Sequence, residues 1–458
     1  MTPQNPTTRD FWSSRTGFIL ANLSAAVGLG SIWKFPYEVG ANGGSAFLLF
    51  YFAGLLIIVL PLMAAELAIG RRGQSDAIGS ISNVAAAVGA SRAWSAIGLI
   101  GAITSALILS FYSVIGGWAI AFFLEAAMHG LTASDSQSAK NSFDALLTSP
   151  VRVTFYHTMF LAVTAFIVAK GVVGGIERAA RLLMPLLVLL LLGLAVYGAI
   201  KGDIVSALHF LLALDTSHLT PRVALEALGL GFFSIGVGLA TMITYAAYAD
   251  KSVNLRQVAL ATILGDTAIS LLAGLAIFPL VFAERLDPSA GAGLLFLTLP
   301  IAFGRLPFGN LIGGLFFLLV AMAAVGSALS LLELLVSVLR NFAGWSRRTA
   351  TIFCAAACWM LGLATVFSFS LWKGWFPLSS LSGFAKASVF DLIDYLTSNL
   401  LLPSCGVAIA ILTGWILSPQ LLREELGLSD RMARILRALL RYIVPTGIAG
   451  VTLAPCVL

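Results

Sequence analysis

The sequence predicts an all-α polytopic membrane protein with about eleven transmembrane helices. Composition is the first reason: of 458 residues, 59% are hydrophobic and only 10% are charged, against about 25% charged in soluble domains. Spacing is the second, because apolar runs of about 20 residues, long enough to cross a bilayer, recur along the chain. The third is that two of these runs are broken by clustered glycines. Each glycine costs roughly 1 kcal/mol in a helix interior, so paired clusters mark a purpose.

Residues 1–16 are polar and lack a short apolar core with a cleavage site, so they read as a cytoplasmic segment and not a removable signal peptide. Apolar spans then fall at 17–40, 44–70, 96–127, 152–169, 176–200, 222–247, 254–284, 310–340, 347–368, 388–418 and 434–457. The first contains Ala-Ala-Val-Gly-Leu-Gly at residues 25–30, and the sixth contains Phe-Phe-Ser-Ile-Gly-Val-Gly at residues 232–238. Opening a helix in hydrocarbon strips backbone groups of their partners, which is tolerated only where the break lines a cavity or faces protein. Breaks in both halves of a chain point to a solute site near the bilayer midplane, and so to a transporter. The longest polar stretch, 129–151, reads as a loop, so no soluble domain is expected.

The net charge of +6 reports topology. With a cytoplasmic N-terminus, 18 of the 27 Lys and Arg residues fall on the inner side, including Arg71, Arg72, Arg178, Arg181, Arg347 and Arg348. That is the positive-inside pattern, and no nucleic-acid partner is implied. An odd number of spans places the C-terminus outside. Cys354, Cys358, Cys405 and Cys456 all lie in spans and read as buried thiols, not metal ligands. An intramembrane hydrolase would need a nucleophile facing a base at depth. The histidines, His129, His157, His209 and His218, all sit near span ends without metal-ligand spacing, so the chain is not expected to be an enzyme.

Several motifs in order carry a family resemblance. They are Gly17-Phe18-Ile19-Leu20, then residues 26–37 (Ala-Val-Gly-Leu-Gly-Ser-Ile-Trp-Lys-Phe-Pro-Tyr), then Asn42-Gly43-Gly44. Pro61 to Glu66 with Gly70-Arg71, Phe232 to Tyr245, Ser327 to Glu333, and Phe390 to Tyr395 continue the series. The sequence resembles the neurotransmitter:sodium symporter family, and in its eleven spans the bacterial amino-acid transporters with the LeuT-type fold. That resemblance implies a five-plus-five inverted repeat with helices 1 and 6 broken. Residues 17–203 would form the first repeat, 204–418 the second, and 419–458 a cytoplasmic loop and the eleventh helix.

By the same resemblance the substrate would meet Ala26, Leu29, Gly30, Ile108, Tyr112, Phe233, Ser234, Gly236, Leu239, Ser327 and Leu331. Amides at Leu29 and Gly30 would hold a carboxylate, to which Tyr112 donates its hydroxyl. Gly28 stands where monoamine transporters carry an aspartate, which fits a neutral amino acid better than a cationic amine. The apolar lining favours a hydrophobic or aromatic side chain. A betaine-like or taurine-like osmolyte is the alternative, as is a transporter-like receptor.

Sodium, one ion or two, is the expected co-substrate, with no organic cofactor. The first site maps to Ala26, Ser31, Ser234 and Asp266. An aspartate within a span is a functional hypothesis by default, though pairing with Lys251 or Arg256 is the structural alternative. Residues that bind chloride in animal members map to Tyr51, Leu230, Ser234, Asp266 and Ser270. Leucine at 230 and a carboxylate at 266 argue for chloride independence. The second sodium site maps to Ser24, Val27, Ala323 and Ser327, with Gly326 where a hydroxyl is usual. That leaves it short of one oxygen, to be completed by water, weakened or absent.

Lys34 and Asp394 match the family's outer gate, and Arg9 with Trp12 its inner latch, whose usual acidic partner maps near Asn341. Glu66 is expected to hydrogen-bond the opened sixth helix. Gly175, nine residues before Pro185, marks a stretch of the fifth span that could unwind. The expectation is a sodium-coupled symporter of a neutral amino acid in a bacterial inner membrane.

Overall fold

A computed structural model describes residues 11–130, 135–288 and 294–457, with side chains to residue 453. Arg9 and the Cys456 thiol lie outside what it describes. Among the described residues every regular element is helical.

Among the described residues nine helices are long and apolar enough to cross a membrane: Ser45–Gly73, Arg92–Met128, Pro150–Ala169, Val172–Lys201, Leu255–Ala283, Gly309–Ala343, Arg347–Phe369, Val389–Ile416 and Asp430–Leu453. A tenth span is the bent pair Arg15–Ala26 and Gly30–Ala41, which turns by 54° at its break. The eleventh is the pair Pro221–Ile235 and Thr241–Ala247, sixth in chain order and too short in each half to cross alone. The protein is therefore an integral membrane protein whose first and sixth spans are opened.

Two helix groups surround these breaks. The third, fourth, eighth and ninth spans pack on one another, and the second and seventh pack on the halves of the sixth and first. Small residues let the backbones close up: a Cβ at Gly117 would sit 2.9 Å from the His157 backbone nitrogen, where third and fourth spans cross.

The expected loop at 129–151 is corrected in part. Residues Ser136–Leu147 form a helix, started by a capping box in which Asp135 accepts from the Ser138 amide at 2.8 Å and Ser138 reaches back. That pairing supplies helix-start amides with acceptors, which composition alone does not reveal. A second surface helix, Pro419–Leu426, lies within the expected loop before the last span. Arg71 holds it through an ion pair to Glu425 at 2.7 Å.

Candidate substrate and cation site

The first helix ends at Ala26 because Val27 is extended, with φ −71° and ψ 109°, and a π turn begins at Gly30. Amides of the second half and carbonyls of the first thereby turn toward the molecular centre. The Leu29 amide donates to the Tyr112 hydroxyl at 3.0 Å, leaving the tyrosine proton free to donate elsewhere. A Cβ at Gly28 would lie 2.5 Å from that hydroxyl and overlap Ser327 Oγ. One at Gly30 would lie 2.8 Å from Ser234 Cα, so both glycines are required by contact with facing chain.

In the sixth span Gly236 at φ +70°, Gly238 at φ +86° and Ala240 at φ +61° open the helix. The Gly238 amide donates to buried Glu66 Oε1 at 2.5 Å, so a carboxylate from the second span replaces a lost helical acceptor. Between the two breaks lies a cavity of about 50 Å³. Of the expected substrate residues, Ala26, Gly30, Ile108, Tyr112, Phe233, Ser234, Gly236, Leu239, Ser327 and Leu331 line it. Leu29 does not; it lines an adjoining cavity of about 370 Å³ walled by Trp33, Phe111, Trp118, Phe296, Phe369 and Phe390. This aromatic chamber was not foreseen. Ala25, Ile235, Thr241, Ser330 and Leu402 also line the central cavity beyond expectation. Ser330 was within reach of sequence reasoning, since it lies three residues after Ser327 on the same helix face.

Ser31, Ser234 and Asp266 meet directly. Ser31 Oγ donates to Asp266 Oδ1 at 2.5 Å and lies 3.1 Å from Ser234 Oγ. Asp266 is fully buried and forms no ion pair among the described residues, so the alternative of Lys251 or Arg256 as its partner is not realised. Its Oδ2, the Tyr51 hydroxyl and the Ser270 hydroxyl are buried without partners. Oxygen atoms grouped around one carboxylate could hold a hard monovalent cation. Leu230, buried nearby, adds no polar group. At the other side of the first break, Ser327 Oγ donates to the Val27 carbonyl at 3.3 Å, with Ala323 and Ser24 buried in the same region.

Lys34 and Asp394 line the same aromatic chamber, yet they do not pair. The Lys34 ammonium lies 4.6 Å from the Phe233 ring centroid, and Asp394 Oδ1 accepts from Ser398 at 3.0 Å. The expected gate contact is thus open. On the N-terminal face the contacts are closed. Trp12 is buried, its indole N–H donates to the Tyr245 carbonyl at 2.9 Å, and its ring meets Phe18 and Tyr245. Trp12→Ala is expected to remove ~3–5 kcal/mol of packing from this closure. A cysteine placed by Thr244→Cys should then react faster with a water-soluble maleimide, and an unchanged rate would show that Trp12 seals nothing. The Asn341 amide donates to Asp76 Oδ2 at 2.7 Å.

The fifth span is helical through Gly175 and Pro185, with a π turn at Val172–Glu177. Glu177 is buried and accepts from the Ser13 amide at 2.8 Å, from Ser13 Oγ at 2.6 Å and from Arg181 at 2.5 Å. Gly17 leaves the room this needs, since a Cβ there would run into the Glu177 carboxylate. Sequence reasoning missed this clamp.

The profile of the sodium:neurotransmitter symporter family matches residues 9–145 and 143–392. The chain belongs to this family. Among the symporters of the family, it is 34% identical over 441 residues to the uncharacterized sodium-dependent transporter YhdH of Bacillus subtilis, covering 95% of each chain. It is 32% identical to an uncharacterized sodium-dependent transporter of Haemophilus influenzae, covering 91% of each. A human sodium-dependent neutral amino acid transporter is 30% identical over 279 residues, 54% of this chain and 37% of the human one. The crystal structure of MhsT in complex with L-phenylalanine superposes with a TM-score of 0.87 at 37% identity, covering 98% of this chain and all of that one.

Proposed function

We propose that this symporter couples sodium to the import of a neutral, hydrophobic or aromatic amino acid by alternating access, without need of chloride. The carrying observation is the Tyr112 hydroxyl, which accepts from the Leu29 amide and keeps its own proton free, facing with Gly28 and Gly30 an otherwise largely apolar cavity beside the buried Asp266 cluster. A carboxylate of the substrate would take the tyrosine proton and the amides of the opened helix. Its side chain would face Ile108, Phe233, Leu239 and Leu331, where a charge would have no partner. The L-phenylalanine bound by MhsT and the neutral amino acid transport named for the human relative support this chemistry.

Sodium at Ser31, Ser234 and Asp266, with the Ala26 carbonyl, would join the two broken helices through one ion. Closure of Lys34 and Asp394 over the substrate, followed by release of Trp12, would alternate access. Arg9 is proposed to act with Trp12. Unwinding between Gly175 and Pro185 would let water reach the second ion. The repeats are taken as residues 17–203 and 204–418, with the N-terminus cytoplasmic and the C-terminus outside a bacterial inner membrane.

The test is the melting temperature of the purified protein against each of the twenty amino acids, in sodium and in choline. Ligand bound only by the folded state raises it by RT ln(1 + [L]/Kd), about 2.7 kcal/mol at a hundredfold excess over Kd. A rise with hydrophobic amino acids in sodium alone is expected. A response that ignores sodium overturns coupling, and a response to osmolytes alone overturns the substrate class.

A further inference from the structure

Ser24 is buried in the last turn of the first half-helix, and its hydroxyl has no hydrogen-bond partner. A serine inside a helix ordinarily bonds back to a carbonyl three or four residues earlier. Several buried serines and threonines here do so, Ser113 to Leu109, Thr262 to Val258, Ser330 to Ser327 and Ser337 to Leu334, whereas Ser24 shares its lack of a partner with Ser105, Ser270 and Thr365. Ser24 instead faces the eighth span. A Cβ at Gly326 would stand 2.6 Å from Ser24 Oγ and 2.7 Å from the Ser24 carbonyl oxygen. Side chain and carbonyl of one residue therefore converge on the notch left by that glycine. The neighbouring residue of the eighth span, Ser327, reaches the Val27 carbonyl of the same helix end.

A hydroxyl on residue 326 and the hydroxyl of Ser24 would compete for this space. We propose that Ser24 Oγ supplies the oxygen that Gly326 cannot, making Ser24 a two-oxygen ligand of a sodium ion held with Val27, Ala323 and Ser327. The inference rests on the sodium-coupled reading above. It turns the apparent deficit at 326 into an exchange: the hydroxyl has moved from the eighth span to the first. An unpartnered buried hydroxyl is costly unless something takes its lone pairs, and a hard cation takes oxygen lone pairs by preference. The second site is then a full one, with three of its oxygens, including both from Ser24, carried by the segment that ends at the break.

The test uses the whole purified chain without amino acid, titrated with sodium against choline at constant ionic strength. Melting temperature and bound radioactive sodium are both read. Ser24→Ala is expected to melt in choline at or above the native temperature, since it loses only an unpaired hydroxyl. Its half-saturating sodium at this site should rise roughly tenfold, the scale of one contact to a charged group. Gly326→Ser alone should melt lower in both media through crowding. The exchange Ser24→Gly with Gly326→Ser should recover both native stability and native sodium affinity. A Ser24→Ala titration that superposes on the native curve overturns the inference, as does equal destabilisation in sodium and choline. A native protein with no sodium response overturns the coupling itself, which separates the two failures.

Discussion

Asp266→Asn is expected to raise the half-saturating sodium concentration for uptake roughly tenfold to a hundredfold, corresponding to ~1.5–3 kcal/mol for a contact to a charged group. Asparagine has nearly the same shape and can still accept from Ser31, so the packing of the three spans should survive. What disappears is the negative charge. In the native protein that charge is buried, hydrogen-bonded on one oxygen by Ser31 at 2.5 Å and free on the other. A carboxylate so placed offsets a bound cation without help from an anion, and it repels one nearby. The same variant should therefore acquire a dependence on chloride, drawn to the buried Tyr51 and Ser270 hydroxyls beside it. Uptake into proteoliposomes with chloride or gluconate measures both effects. Native sodium affinity in the variant would remove Asp266 from the ion's ligands. A collapse of native uptake in gluconate would remove chloride independence.

Gly28→Ala is expected to weaken amino acid binding about tenfold to a hundredfold, as ~1–3 kcal/mol of overpacking is forced on the cradle. The added methyl would overlap Ser327 Oγ and lie 2.5 Å from the Tyr112 hydroxyl. Relief requires turning one of those hydroxyls away or moving the half-helix whose amides face the substrate. Gly193→Ala is the matching control: it lies on the exposed side of the fifth span, where a Cβ meets nothing within 4 Å. Equilibrium binding of the amino acid found by thermal screening distinguishes them. Native affinity in the Gly28 variant would show that the substrate carboxylate sits elsewhere.

The spans were legible because hydrocarbon leaves the chain one solution, a closed helix, and apolar length reads directly on it. Their breaks were legible because glycine at 28, 30, 236 and 238 has no reason to interrupt such runs except contact or a left-handed turn, and the structure shows both. Relations across the bundle were harder to read. Lys34 and Asp394 carry the charges of a pair, but which partner each holds depends on how far the chamber between them is open. Leu402 reaches the cavity from the tenth span with no polar atom to announce it. The absence of a hydroxyl at Gly326 reads as a loss on its own helix. Its counterpart at Ser24 is 302 residues away and visible only where the two helices face.

Glu177 joins the N-terminal segment to the start of the fifth span. Ser13 and Ser14 of the N-terminal segment and Arg181 of the fifth span share its carboxylate, and Arg181 also reaches both serine hydroxyls, at 3.0 and 2.7 Å. Lifting the segment removes the serine donors from the carboxylate, each contact to a charged group being worth about 1.5–3 kcal/mol, and leaves Arg181 as its partner. Loosening the span takes the same carboxylate away from the segment. In the proposed cycle the two movements would share this one carboxylate, so that release of either would weaken the hold on the other.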